Sequence, residues 1–218
     1  MTKRRVGYTC LTMAAVAVSA LLTGIAAADH HDKQDKHDKK DRQDKQGAAE
    51  DPQAMMAAYE KAGQPADEHK QVLKMVGKWN LAFKSWMDPK VPPMDSTGTA
   101  EAKAILGDRF VQITVSSTFM GKPFSGVAIN GYDKARKKFV GTWMDSMSTG
   151  IAVSEGTGDA SGEVITSHMK GTDPVTGKET RMRIVGRWQS DDKLVEEFHE
   201  NKGGKEVKMM EITYTRAK

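Results

Sequence analysis

The chain has 218 residues, with 33 Lys and Arg against 29 Asp and Glu, for a formal charge of +4. Three of the basic residues, Lys3, Arg4 and Arg5, sit in a segment that reads as removable. The rest of the chain then carries only +1, and with no basic stripe interleaved with aromatics this excludes a nucleic-acid-binding class. The single cysteine, Cys10, lies in that same segment, so disulfides are excluded and the fold must rest on its own core.

The first 28 residues read as a signal peptide. A basic n-region is followed by an apolar run from Val6 to Ile25, and Ala26, Ala27 and Ala28 supply the small residues of a cleavage site. The expected product is exported, periplasmic or secreted, with no transmembrane anchor after cleavage. Residues 29–52 form a charged leader, "DHHDKQDKHDKKDRQDKQ" at its start, with Asp at every third position from 29 to 44 and no apolar residue in that stretch. Such a segment cannot repay the entropy of ordering, and the expectation is a solvated tether. Cleavage after Ala27 or Ala28 would also place a histidine third from the new amino terminus, His30 or His31 respectively. A free amine, two backbone amides and an imidazole then make a square-planar nitrogen set suited to Cu(II) or Ni(II).

From residue 53 to 76 the pattern is helical. "PQAMMAAYEKAG" ends on Gly63, and "PADEHKQVLKMVG" opens on Pro65 and ends on Gly77, with Asp67 and Glu68 expected in its first turn. After Gly77 the period changes to two. Ten strands are expected near 78–87, 97–106, 109–119, 123–132, 138–145, 150–157, 163–170, 179–188, 193–200 and 205–216, joined by Gly-, Asn- and Asp-bearing turns. Strands connected this way make an antiparallel meander, which removes its edges by closing into an up-and-down barrel. The fold class expected for residues 77–218 is therefore mainly β: an antiparallel barrel of about ten strands preceded by one or two short helices.

The junction "GKW", Gly77 to Trp79, resembles the signature that opens the first strand of calycin barrels, which include lipocalins, fatty-acid-binding proteins and nitrobindins. That resemblance implies that the indole plugs the closed end and that an Arg of the last strand lies across it, here Arg216 of "MEITYTR". The stretches "WMDPKVPPMDSTGTAEAKAILGDRF", "KPFSGVAINGYDKARKKFVGTWMDSMSTG", "SEGT", "DPVTGKE" and "MEITYTR" are similar to the bacterial family known as domain of unknown function 1579. The resemblance spans roughly Glu68 to Arg216; it implies a calycin-like barrel and no established activity.

Alternation selects the lumen. Trp79, Leu81 and Phe83 share one face, as do Phe139, Trp143, Asp145 and Met147; Met182, Ile184 and Trp188; and Leu194, Glu196 and Phe198. Trp143, Met147, Trp188 and Phe198 are thus candidates to line a cavity for a small apolar or amphipathic molecule, with Asp145 and Glu196 as its polar anchors. Carboxylates so placed also anchor turns or pair with Arg181, Arg183 or Arg187. A second reading makes Asp145 or Glu196 the general base of a small-molecule enzyme. A third is an envelope interaction module with no internal ligand. His168 and His199 are the only histidines within the strands. Nitrobindin-like barrels bind haem through a histidine, but both alternate against the lumenal set, so neither is expected as a haem ligand.

Overall fold

A computed structural model describes residues 51–88 and 90–218. The signal segment and most of the charged leader, including His30 and His31, lie outside the described residues. Helix α1 (Pro52–Gly63) opens with Pro52 at its first position and Asp51 as N-cap, whose carboxylate accepts from the Gln53 amide at 3.0 Å. It buries no residue. Among the described residues no helix is long and apolar enough to cross a membrane.

The second helix is shorter than the sequence suggests. Helix α2 covers only His69–Leu73. Asp67 and Glu68, expected in its first turn, precede it. The tighter bonds His69 to Ala66, Lys70 to Asp67 and Gln71 to Glu68 wind the chain up to it, and Met75 to Val72 and Val76 to Leu73 wind it down. The His69 ring, not an acidic side chain, accepts the Ala66 amide at 2.9 Å. His69 is buried with its ring edge-on to Tyr132, an anchoring role that sequence reading passed over.

Ten strands follow: β1 (Gly77–Ser85), β2 (Met94–Ile105), β3 (Phe110–Phe119), β4 (Lys122–Asp133), β5 (Lys138–Asp145), β6 (Ala152–Gly158), β7 (Val164–Thr172), β8 (Glu179–Ser190), β9 (Lys193–Lys202) and β10 (Lys205–Arg216). Each pairs antiparallel with its sequence neighbour, and β1 pairs with β10 to close the barrel. The "NKGG" turn between β9 and β10 shows why the connections are so short. Gly203 and Gly204 both take positive φ, and Asn201 accepts the Gly204 amide.

Register fixes which side chains face inward. Trp79 stands opposite Arg216, Leu81 opposite Tyr214, and Phe83 opposite Ile212. The alternation continues round the sheet, so Phe139, Trp143 and Asp145 point inward from β5, and Leu194, Glu196 and Phe198 from β9. The core sits at one end. Val72 and Met75 descend from the α2 segment onto Trp79, Leu81, Val111, Ile113, Phe139, Leu194 and Tyr214, all buried. This end is closed.

A bulge at Met209 changes the outer face. Lys208 stands opposite His199 but Met210 stands opposite Phe198, so one residue of β10 is unmatched. Lys208 and Glu211 consequently share the outer surface and meet at 2.6 Å, and Lys208 also reaches Glu197 at 3.1 Å and lies over the Trp86 ring.

Candidate functional site

The closed end is built around Gly77, Trp79 and Arg216. The Trp79 indole donates to the Met75 carbonyl at 2.7 Å. The Arg216 guanidinium lies 4.2 Å from the Trp79 ring centre. It donates to the carbonyls of Val76, Lys74 and Asp191 and to the Asp192 carboxylate. Arg216 thus ties the chain entering β1 to the turn before β9. Gly77 has φ +132°, and a Cβ there would stand 2.7 Å from the Arg216 guanidinium. Both facts demand glycine.

Trp188 belongs to this plug. Its ring lies 6.0 Å from Trp79, with Lys74 above it, because β8 places it opposite Leu194 at the closed end. It therefore does not line the far half of the lumen. Met147 corrects a second expectation. Strand β5 ends at Asp145, and Met147 follows in a turn, 53% exposed. Alternation cannot be extended past the end of a ladder.

Trp143, Asp145, Glu196 and Phe198 do face the lumen. Trp143 lies flat over Gly126, where any Cβ would run into the indole, and stacks on Phe124 at 6.4 Å. Its indole donates to one Asp145 oxygen at 2.8 Å, and the Met147 amide donates to the other at 2.9 Å. Asp145 therefore anchors a turn and orients an indole. Phe198 stands between Ile184 and Met210.

Glu196 is different. Its carboxylate points into the barrel and accepts a single bond, 3.0 Å from the Tyr214 hydroxyl. Burial raises its pKa, partly offset by that hydrogen bond, and burial beside this carboxyl raises the Tyr214 pKa well above its ordinary value. Among the described residues no arginine reaches it. Arg181, Arg183 and Arg187 all lie on the outer face of β8, where Arg183 makes a two-pronged pair with Glu206 and Arg181 meets Glu179. His168 is exposed on the outer face of β7. His199, on the outer face of β9, is 3.6 Å from the Glu197 carboxylate. Among the described residues no group of three His, Cys, Asp or Glu side chains is placed to hold a metal ion.

The lumen is graded. Near α2 most of its side chains are buried, with Tyr132 and Trp188 half-buried, whereas Phe83, Phe124, Trp143, Met182, Ile184, Phe198 and Met210 in the other half all keep accessible surface. Small residues let the inward side chains approach one another: Gly98, Ala128, Gly141, Ala152 and Gly171 face inward from five different strands, and Phe83 closes over Gly98 while Asn130 and Ser154 close over Gly141. Two grooves also lie outside the barrel, one across β10, β1 and β2 and one along α1. Both are open surface depressions, and neither contains a carboxyl held away from water. The lumen is the stronger candidate on physical grounds.

Sequence reading missed Tyr214 as the partner of Glu196, and Phe83, Phe124 and Met210 as lining. The signal was present, since period-two alternation in "MEITYTR" puts Met210 and Tyr214 on one face of the last strand. Only cross-strand register shows which residues they meet.

A family model described as "Protein of unknown function (DUF1579)" matches residues 64–216. Among solved structures, the chain is similar to Rv2717c from M. tuberculosis at 17% identity and a TM-score of 0.54, over 71% of this chain and 100% of that one. It is also similar to a redesigned β-barrel at 10% identity and a TM-score of 0.37, over 68% and 96%. The first likeness supports the fold. No curated protein matches.

Proposed function

Since the chain belongs to the DUF1579 family, whose description assigns no activity, we propose from its own geometry that it is an exported barrel binding a small, partly apolar molecule in the open half of its lumen. The observation that carries this reading is the gradient along the lumen: mostly buried against α2, half-buried and aromatic at the other end, where Phe83, Trp143, Phe198 and Met210 border the core and keep accessible surface. A barrel filled for stability alone would be packed throughout, because interiors close to crystal density leave few voids. Phe83, Trp143, Phe198 and Met210 supply the apolar walls, Met210 with an adaptable thioether. Asp145 fixes the Trp143 indole in place, and Glu196 supplies the polar anchor. Export rests on the basic, apolar and small-residue order of the first 28 residues.

Native mass spectrometry of the protein purified from its own envelope, beside its denatured mass, tests both halves. The expected result is an excess mass lost on denaturation, together with an amino terminus at Ala28 or Asp29. An amino terminus at Met1 would overturn export. Equal masses, together with no change in tryptophan fluorescence on adding medium-chain alkanols, would overturn lumenal binding.

A further inference from the structure

Glu196 is treated unlike the paired glutamates of the outer surface. On the outer surface Glu155, Glu179, Glu197 and Glu206 each face a Lys or Arg. Glu196 has only the neutral Tyr214 hydroxyl, on one oxygen; the other accepts no hydrogen bond from any described residue. The side chain keeps accessible surface and points into the lumen, so that oxygen is open to an occupant. Asp145 also faces inward, held by two neutral N–H donors. Glu200 faces inward nearer the rim, with Lys202 at 3.6 Å. Between the Arg216 latch and the rim hairpins, no described Lys or Arg faces the lumen.

Such a cavity has a definite electrostatic preference. Below the rim its fixed charges are of one sign and its walls are aromatic, and beside the desolvated Glu196 carboxyl both charge and cation–π attraction are stronger than in open water. An anionic ligand would meet repulsion with no basic group to hold it, and a neutral one would leave the desolvated carboxyl as it is. A cation would give Glu196 the partner that the protein withholds.

We infer that the lumenal occupant is an organic cation, an aliphatic amine whose ammonium group sits on the free Glu196 oxygen and whose apolar body lies along Phe198 and Phe83 toward the open end. This rests on the lumenal binding proposed above and specifies its ligand class. The raised pKa of Glu196 fits the same picture, since an arriving ammonium would favour the ionised form and release a proton from any protonated fraction.

The test is calorimetric titration of the signal-free chain at pH 7 with hexylamine, hexan-1-ol and hexanoate. The amine is expected to bind at least tenfold tighter than the alcohol, with hexanoate weakest. In Glu196→Gln the amine should fall to the level of the alcohol, whose own affinity stays. Tyr214→Phe, which keeps the carboxylate, should retain the amine preference. Equal affinity of amine and alcohol for the unmodified chain would overturn the cation inference and leave lumenal binding standing; no binding of any of the three would overturn both. Should Glu196→Gln fail to fold, the same contrast is read on the unmodified chain. The amine-to-alcohol affinity ratio should then collapse as pH falls and Glu196 protonates, and a constant ratio would count against the inference.

Discussion

Gly77→Ala isolates the demand that the closed end makes on one residue. At φ +132° an L-residue is strained by about 1–3 kcal/mol. The new methyl would also stand 2.7 Å from the Arg216 guanidinium, which would have to shift. Arg216 donates to Val76 at 3.0 Å through that same nitrogen, and losing the bond costs about 1 kcal/mol. Part of the contact with Trp79, worth roughly 0.5–2 kcal/mol in such geometry, goes with it. The whole comes to about 3–5 kcal/mol, and at about 2–4 °C per kcal/mol the melting temperature should fall by roughly 6–20 °C. Gly121→Ala is the control. Its φ is +76° with nothing within 4 Å of the added Cβ, so it bears a conformational cost alone. Thermal unfolding followed by circular dichroism reads both, and a cycle with Arg216→Ala separates strain from collision. In the Arg216→Ala background the cost of Gly77→Ala should shrink by about 1 kcal/mol or more, the usual size of coupling between contacting residues. Equal costs in the two backgrounds would show that the guanidinium is not what excludes a side chain, and would refute the argument.

Because burial raises the Glu196 pKa, the carboxyl is harder to ionise folded than unfolded, so its contribution to stability is present at low pH and is lost as pH rises through the folded pKa. Glu196→Gln should therefore melt higher than the unmodified chain at pH 8, with the gap closing toward pH 4; a gap that widens on acidification would contradict the assignment. Trp79→Phe leaves the Met75 carbonyl without its donor in a buried setting and should cost about 1–3 kcal/mol in denaturant unfolding, more than the same change at half-buried Trp188. Gly126→Ala pushes the Trp143 indole off its seat and away from Asp145. The Trp143 fluorescence should shift, stability should fall by roughly 1–3 kcal/mol, and an unchanged emission spectrum would refute the packing described.

The strands were legible because period-two alternation and turn chemistry are local. "GKWNLAFKS" carries its own inward face, and Gly203 and Gly204 announce a hairpin without reference to the rest of the chain. The plug was legible through the likeness of Gly77, Trp79 and Arg216 to a known signature. The α2 segment was not, because Pro65, Asp67 and Glu68 look like a helix start while the chain there winds in tighter turns set by buried His69 against Tyr132. The candidate site was half legible. Inward phase follows from alternation, as Asp145, Trp143, Glu196 and Phe198 show, but height along the barrel axis follows from register across strands far apart in sequence. Trp188 shares its face with Ile184 yet belongs to the plug, and no periodicity in β8 says so. The Met209 bulge is hidden for a related reason, since it exists only relative to β9.

Nine of the ten strand pairings in this barrel are hairpins between neighbours, and the tenth, β1 with β10, joins residues at opposite ends of the sheet region. Arg216 and Val76, bonded across that seam, are 140 positions apart. Closing so long a loop of otherwise unformed chain costs about 3 kcal/mol more than closing a four-residue turn. The hairpins close at little entropic cost in any order, whereas the seam is least costly to close last, and until it does β1 and β10 present two bare edges to other chains. The contacts that lock it, Arg216 on Trp79 and on the carbonyls just before β1, are the same ones that read in the sequence as a family signature. That signature is a clasp on the folding pathway: variants weakened there should lose soluble yield to edge-to-edge association before they lose the native structure itself.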